Sequence, residues 1–370
     1  MNKSCLIGFL MCSAFSLVVQ AATDGAHITK TISQIERKKG IKRTIQYRPD
    51  GNDFVCVNGK NRYTRALYGG ITDFRIETSD RPVFATYKPK DSKHICFRLQ
   101  CGNQSIALDS LKFCEARYRA GRRTYRLTDP LLGKGELNIS VLAFPDAEGG
   151  IWRFTMKDMP EGALLHCYIS EIRAKNLSRN GDMGADRADS FDAPQLPKEQ
   201  KHYKLSLDGT TAYIVVEDQE LRLPALVEGT SLYDKSEKWR SEIESSLQIS
   251  TPDPYFNPLG GALAAAADGI WDGKIWLHGA IGWRSQLNGW RAAYIGDFIG
   301  WHDRARTHFD SYAASQVTDV PATIPHPTQD TALHLARSVK KWGTPHYSNG
   351  YICRTPYRKD QMHHYDMNLC

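Results

Sequence analysis

An alternation of apolar and polar residues runs through the sequence from about Val55 to Arg222 and limits the fold more than any other feature. It recurs in short segments separated by Gly, Asp and Pro, among them "HICFRLQCG", "ELNISVLAF", "GIWRFTMKDM" and "TAYIVVED". Successive side chains of a strand point to opposite faces, so this period predicts strands with one buried face. Many short strands joined by tight turns, with hardly a helical stretch among them, predict a large antiparallel β-sandwich.

Two stretches within this region support more local predictions. The pair Asn58–Gly59 in "DFVCVNGKNRYT" predicts a tight turn between two strands of one hairpin, because such turns need positive φ angles. The segment 175–201, "KNLSRNGDMGADRADSFDAPQLPKEQK", is polar and too long for an ordinary connection. It is either a mobile surface loop or a loop that reaches towards another domain.

Helical spacing begins where the alternation ends. In "DKSEKWRSEIESSL", Trp239, Ile243 and Leu247 lie four residues apart and predict a linker helix. Asp234 and Glu237 stand in the positions of a capping box, which places the start of that helix near residue 233.

Three more helices are predicted after the linker. Asn257 and Pro258 are typical of a cap and a first turn, and a last helix is predicted over 328–342. Between them, "GWRAAYIGDFIGWHDRARTHFDSYAASQ" turns from an aromatic, Arg-rich stretch into an amphipathic helix. The predicted apolar stripes of the first two helices are Leu259, Leu263, Ala266 and Ile270, then Phe298, Trp301, Ala305, Phe309 and Tyr312.

The N-terminal residues predict export. A lysine, an apolar run of about a dozen residues and the small residues Ala21 and Ala22 form the pattern of a cleaved secretory signal over 1–22. No later apolar run is long enough to span a membrane. We therefore expect a periplasmic or secreted protein with no membrane contact after signal cleavage.

Charge and cysteine usage exclude some classes of function. The net charge of +7 comes from scattered Lys and Arg, which argues against a nucleic-acid partner. Of nine cysteines, Cys5 and Cys12 lie in the signal, and no CxxC pair occurs among the remaining seven. We expect free thiols in strands, with no metal and no cofactor. The sequence leaves the oligomeric state open.

The segments "STPDPYFN", "GGALAAAADGIW" and "GWRAAYIGDFIGWHDRAR" resemble the six-hairpin (α/α)6-barrel glycosidases, the group that holds α-L-rhamnosidases and glycoside phosphorylases. More narrowly, the whole chain resembles the N-terminal part of exported glycan-degrading proteins of gut Bacteroidetes, which begin with a β-sandwich of the DUF4450 type. The resemblance implies a signal peptide (1–22), a β-sandwich (23–232), a linker helix (233–250) and the first helices of an incomplete barrel (251–370).

The same resemblance implies a set of site residues. Glycoside hydrolysis needs two carboxylates around the scissile bond, together with aromatic and polar groups that hold the sugar. Asp297 follows "YIG" where related rhamnosidases carry a Gly-Asp pair, and Asp366 is the second carboxylate candidate. The alternative for Asp297 is a helix N-cap, and Trp301 is assigned to packing. The expected substrate-binding residues are His278, Trp283, Trp290, Arg291, Tyr294, His363 and His364.

The function expected from the resemblance is that of an exported, exo-acting glycoside hydrolase of complex glycans, with an oligosaccharide or polysaccharide as its partner. Only about four helices are predicted, so the later hairpins that often carry a catalytic carboxylate are absent, and we expect this fragment to be inactive. Two alternatives stay open. One is a glycoside phosphorylase of the same architecture, and the other is a non-catalytic glycan-binding β-sandwich module.

Overall fold

The computed structural model describes residues 46–182, 186–281, 284–286 and 290–316, together with Thr318, residues 329–330 and 335–336, Ile352 and Pro356. Two antiparallel sheets form the N-terminal part, and helices follow them, as the alternating pattern predicted. In spatial order, the eight-stranded sheet comprises β1 (Arg48–Asp50), β2 (Asp53–Val57), β8 (Phe113–Arg119), β9 (Arg122–Thr128), β10 (Glu136–Ala143), β11 (Gly149–Lys157), β14 (Thr211–Glu217) and β15 (Glu220–Arg222).

The second sheet has seven strands and packs face to face with the first. Its spatial order is β13 (Gln200–Ser206), β12 (Leu164–Glu171), β6 (Lys93–Cys101), β5 (Val83–Tyr87), β4 (Arg75–Thr78) and β3 (Arg65–Tyr68), with β7 (Gln104–Ala107) paired to β6. Five aromatic rings meet edge to face between the sheets, and the centroids of the contacting pairs are 5.5–5.7 Å apart. These rings belong to Phe84, Phe97, Tyr125, Trp152 and Phe154. This interdigitated aromatic layer is the core of the sandwich.

The hairpin predicted at Asn58–Gly59 is wrong. β2, which ends at Val57, pairs with β1 and β8, whereas β3 lies in the other sheet, so the chain crosses between sheets here. Asn58 has the positive φ of 51° that the sequence suggested, but its Oδ1 accepts from the Cys114 N–H at 2.9 Å. Asn58 and Gly59 therefore connect the two sheets at one end of the sandwich and do not form a hairpin turn.

The segment 175–201 packs against the sandwich and extends beyond it. Phe191 is buried and its ring lies 5.4 Å from that of Tyr63, on the outer face of the seven-stranded sheet. The Asp186 carboxylate accepts backbone N–H groups of Ser178 and Gly181, each at 2.8 Å, which folds the segment onto itself. The Asn180 side chain donates to the carbonyl of Ile281 in the helical part. This contact favours a loop that reaches towards another domain over a mobile surface loop.

The linker helix is longer than predicted and belongs to the sandwich surface. It begins at Leu226 and ends at Ser245 (α1), so Asp234 and Glu237 lie inside it and the capping box predicted there is wrong. Its buried face follows Gly229, Tyr233, Ser236 and Arg240 rather than the predicted stripe of Trp239, Ile243 and Leu247. The reason is that α1 packs against the eight-stranded sheet. The Tyr233 hydroxyl bonds to that of Ser140, and the small residues Gly229 and Ser236 are buried where apolar side chains were expected.

The next helix, α2 (Leu259–Gly269), has a buried face of small residues. Gly260 lies so close to the residues that follow α1 that a Cβ there would stand 2.7 Å from the carbonyl oxygen of Leu247. Leu263 and Ala266 are exposed, so the predicted stripe is wrong at these positions. Asn257 does not cap this helix either, because its Oδ1 accepts from the backbone N–H of Thr251 at 2.7 Å.

Two short helices replace the single amphipathic helix that was predicted. They are α3 (Trp290–Phe298) and α4 (His302–Ala313), and Phe298 and Phe309 are exposed where the predicted stripe would bury them. The helix predicted over 328–342 is wrong in its described residues, since β16 (Gln329–Asp330) pairs with β17 (Leu335–Ala336).

Polar contacts fix the helical part to the sandwich. The Arg284 side chain donates to the Asp73 carboxylate at 2.8 Å and to the Thr72 hydroxyl at 2.7 Å. Thr72 donates in turn to the carbonyl of Trp271. The residues that follow α2 therefore have a defined position against the loop between β3 and β4.

Candidate functional site

Part of the predicted sugar site falls within the described structure. His278 is exposed, and its backbone N–H donates to the carbonyl of Ser285 at 2.8 Å. Tyr294 and Asp297 are exposed on α3, three residues apart and hence on one side of the helix. Trp290 and Arg291 begin α3, but their side chains lie outside the description. Trp283, His363, His364 and Asp366 lie outside the described residues.

Asp297 is not a helix N-cap, so that alternative is wrong. It lies in the last turn of α3, and Trp301 holds the N-cap position of α4. The break between the helices is a Schellman motif. Gly300 has a φ of 87°, its N–H bonds to the carbonyl of Asp297 at 3.1 Å, and the Trp301 N–H bonds to that of Gly296 at 2.8 Å. "IGW" (299–301) carries this signal, which the predicted single helix did not take into account.

The Asp297 carboxylate pairs with the first residue of α4. Its Oδ1 lies 2.9 Å from Nδ1 of His302, and both side chains are about two-thirds exposed (69% and 67%). A side-chain contact so open to solvent adds little stability. The pair therefore leaves the carboxylate available to other partners.

A second carboxylate reaches the same turn of α4 from inside the protein. Asp268, near the end of α2, is buried and accepts from Nη1 of Arg304 at 2.7 Å. Burial raises the pKa of the Asp268 carboxyl, and the Arg304 guanidinium opposes that rise. The sequence signal for this residue is an aspartate in the middle of "AAAADGIW", and Asp268 was not among the predicted site residues.

Two indoles surround the Arg304 guanidinium. Its Cζ lies 4.5 Å from the ring centroid of Trp301 and 5.6 Å from that of Trp271. The Trp301 ring is parallel to that of buried Trp276, with centroids 6.5 Å apart, which agrees with its predicted packing role. Cation–π contacts and the carboxylate hold the guanidinium in place.

A buried histidine packs against Trp276. His308 is fully buried, and its Nδ1 accepts the backbone N–H of Trp276 at 3.1 Å. Burial lowers the pKa of His308 to about 4, so the ring is neutral near pH 7. The bond from Trp276 fixes the tautomer with the proton on Nε2, and that atom has no hydrogen-bond partner among the described residues.

We refer to Asp268, Trp271, Asp297, Trp301, His302 and Arg304 as the α4 cluster. Its members are one buried carboxyl, one exposed carboxylate, a fixed guanidinium and aromatic rings, and the two carboxyl groups contact different residues of the first turn of α4. Such a group of side chains has the components for proton transfer and for holding a polar ring-shaped ligand.

In the described part of the chain, no three His, Cys, Asp or Glu side chains lie close enough together to hold a metal ion. The five described cysteines are free thiols. Burial raises the pKa of Cys96 to about 11 and that of Cys114 to about 12, so both thiols are protonated near neutral pH.

Residues 89–216 match the family described as "Domain of unknown function (DUF4450)". The matched range begins just before β6 and ends within β14, and so contains strands of both sheets. No curated protein sequence matches the chain. Among the described helices, none has the length and apolar character needed to cross a membrane.

Proposed function

We propose that the protein is an exported, exo-acting glycoside hydrolase and that the α4 cluster is part of its sugar site. The observation that supports this most is that Asp268 and Asp297, two carboxyl groups in unlike environments, contact Arg304 and His302 of the first turn of α4. The helices α2 to α4 would then be the first of an (α/α)6 barrel, as their resemblance to the six-hairpin glycosidases implies.

The two carboxyl groups suit the two roles that hydrolysis requires. The group that protonates the leaving oxygen must hold its proton near neutral pH, and burial moves the pKa of Asp268 in that direction. The group that activates water, or attacks the sugar itself, must be ionised and accessible. The exposed position of Asp297 on α3 meets that need.

The remaining residues of the cluster suit a sugar ligand. Half-buried Trp301 and Trp271 pack on Trp276 and Arg304, and the exposed part of each ring remains for contact with sugar C–H groups. Arg304, held by the Asp268 carboxylate, has further N–H donors with which to bind hydroxyl groups. Tyr294, on the same side of α3 as Asp297, lies where it can contact the same ligand.

The test is the turnover of Asp297→Asn in the protein expressed from its complete gene. Release of sugar is measured with a panel of 4-nitrophenyl glycosides and plant oligosaccharides. Because Asp297 is neither buried nor a cap, the substitution should leave the melting temperature unchanged. Loss of a carboxylate that acts in proton transfer should lower kcat by about a hundredfold.

Asp310→Asn is the matched control, since Asp310 is an exposed aspartate of α4 outside the cluster. It should keep full turnover. Equal turnover in both variants, or no sugar release from any member of the panel, would contradict the proposal. Release that requires inorganic phosphate would replace hydrolysis by phosphorolysis. Sequencing of the mature N-terminus tests export, with cleavage near Ala22 expected.

A further inference from the structure

The outer face of the seven-stranded sheet is divided into a covered half and an open half. The segment 175–201 covers one half through Phe191, which is buried against Tyr63 and Tyr87. The other half lies on β13, β12 and β6 and is open to solvent. We refer to this second half as the histidine face; its residues are Arg98, Gln100, His166, Tyr168, His202 and Lys204.

Strand register brings five of these side chains into two rows, and Gln100 lies in the row beyond Arg98. Lys204, His166 and Arg98 are opposite one another across the three strands. In the next row, Tyr168 is opposite His202. Side chains two residues apart share a face, so the two rows are neighbours on the same surface of the sheet.

Three rings of the histidine face lie nearly parallel to one another. The His202 ring is nearly parallel to that of Tyr168, with centroids 4.7 Å apart, and to that of His166, with centroids 5.1 Å apart. Tyr168 therefore covers one face of the His202 ring, whereas His166 lies at the edge of that ring, because the hydrogen bond between the two imidazoles lies in the ring planes. The stack presents ring edges, which carry N–H and O–H groups, to solvent.

Hydrogen bonds fix the orientation of the histidines. His166 Nε2 lies 2.6 Å from Oε1 of Gln100, and His166 Nδ1 lies 2.8 Å from Nε2 of His202. Because the Gln100 oxygen accepts, His166 carries its proton on Nε2 and accepts on Nδ1 the proton of His202 Nε2. Nδ1 of His202 is then an acceptor at the solvent side of this chain of bonds.

The histidine face is cationic. Arg98 donates to the hydroxyl and the carbonyl of Ser105 but forms no ion pair in the described part of the chain, and the same holds for Lys204. The outward positions of β13, β12 and β6 carry no carboxylate. Burial together with His202, Lys204 and Arg98 lowers the pKa of His166, as expected where positive charge is not neutralised.

We propose that the histidine face binds an acidic oligosaccharide, with Arg98 and Lys204 contacting its carboxylate or sulfate groups and with Tyr168, His202 and Gln100 contacting its hydroxyls. The choice of a saccharide rests on the proposed function. Single-stranded nucleic acid fits less well, because its bases need free aromatic faces, and Tyr168 and His202 each cover one face of the other. All six residues lie within 89–216, the range that matches the family.

Calorimetric titration of the full protein with hexagalacturonate, a heparin hexasaccharide, maltohexaose and hexathymidylate tests the proposal. We expect binding of at least one of the two acidic saccharides, weakened by added salt, and no binding of maltohexaose. The double variant Arg98→Gln, Lys204→Gln should lose about tenfold or more in affinity. The control Lys134→Gln, Lys157→Gln removes the same charge from exposed positions outside the histidine face and should bind normally.

Three results would overturn the proposal: no binding of either acidic saccharide, equal affinity in the double variant and the wild type, or equally tight binding of hexathymidylate. His202→Ala provides a second variant, which removes hydrogen-bonding groups without removing a formal charge and should also weaken binding. The outcome is separate from that for hydrolysis. Asp297→Asn should bind the acidic saccharide normally, and the double variant should release small 4-nitrophenyl sugars normally.

Discussion

Gly229 of α1 lies directly under the ring of Tyr213 of β14, so that a Cβ on Gly229 would stand 2.4 Å from the ring carbon Cδ2. Beside this contact, the Tyr233 hydroxyl and Oγ of Ser140 are 2.7 Å apart, and the Arg153 guanidinium lies 3.8 Å from the centroid of the Tyr233 ring. Close approach, a hydrogen bond and a cation–π contact thus fix α1 to the eight-stranded sheet. The helix that the sequence predicted as a linker is a structural part of the sandwich.

Gly229→Ala should therefore destabilise the protein, although alanine is the better helix former. The propensity gain is about 1 kcal/mol, and the overpacking against Tyr213 costs about 1–3 kcal/mol. We expect a net loss, measured by urea unfolding followed by circular dichroism. Lys238→Ala, at an exposed position of the same helix, should change the free energy of unfolding by less than about 0.5 kcal/mol. A Gly229→Ala protein as stable as the wild type would mean that the helix can move away from the sheet.

A truncation after Ser246 should melt at a higher temperature than one after Arg222. The shorter product lacks α1 and exposes Tyr213, which the helix buries in the intact protein. It also loses the ion pairs of Arg122 with Glu237 and of Arg119 with Glu244. Differential scanning calorimetry of the two products, both starting at residue 46, measures the difference. Identical melting temperatures would show that α1 only joins two parts of the chain.

Phe191→Ala should release the segment 175–201 from the sheet. The ring is buried among Tyr63, Tyr87 and Ala85, and truncation of a buried phenylalanine costs about 3–5 kcal/mol. Because the segment contains trypsin sites such as Arg187, we expect faster cleavage there while the strands stay protected. Leu196→Ala is the control, because Leu196 lies in the same segment and is 88% exposed. Equal cleavage rates in the two variants would show that Phe191 does not hold the segment.

Gly300→Ala should destabilise the break between α3 and α4 through the backbone alone. A Cβ at this position would meet no atom within 4 Å, so the cost comes from its φ of 87°, about 1–2 kcal/mol for an L-residue. Gly300→Asn should cost less, because asparagine tolerates the left-handed conformation. Thermal melts of the two variants measure this order. Alanine as stable as asparagine would contradict the Schellman geometry.

Local pattern was sufficient to predict the β-sandwich but not the pairing of its strands. Alternation of apolar and polar residues indicates that one face of a strand is buried. The predictions of β6, β10, β11 and β14 were based on it. It does not state which strand lies next, and therefore the Asn58–Gly59 turn was assigned to a hairpin although the chain changes sheets there.

The helices were harder to place because their buried faces are not apolar stripes. On α1 the buried positions include Ser236 and Arg240, whose neighbours come from the sheet and from glutamates one turn away. In the candidate site, Asp297 was selected from the resemblance, and it lies exposed in the last turn of α3 rather than at the start of a helix. Asp268 was missed because its role depends on Arg304, which is 36 residues away in sequence.

Acidification should weaken the helical part through His308. The pKa of this histidine falls from its ordinary value of 6.5 to about 4 on folding, because burial disfavours the charged ring. The unfolded chain therefore binds the proton more tightly than the folded protein, and stability is fully present above about pH 6.5 and is lost as the pH falls towards 4. Between pH 7.5 and 5.0 the loss amounts to about 2 kcal/mol, at about 1.4 kcal/mol for each pH unit below 6.5.

Tryptophan fluorescence in urea measures this loss, since Trp276 donates its backbone N–H to the His308 ring. His308→Gln removes the titrating group but keeps a side-chain acceptor, so it should be less stable than the wild type at pH 7.5 and should lose less stability on acidification. If both proteins lose the same free energy between these pH values, the imidazole is not held neutral, and the buried side of the α4 cluster is more open to water than its packing indicates.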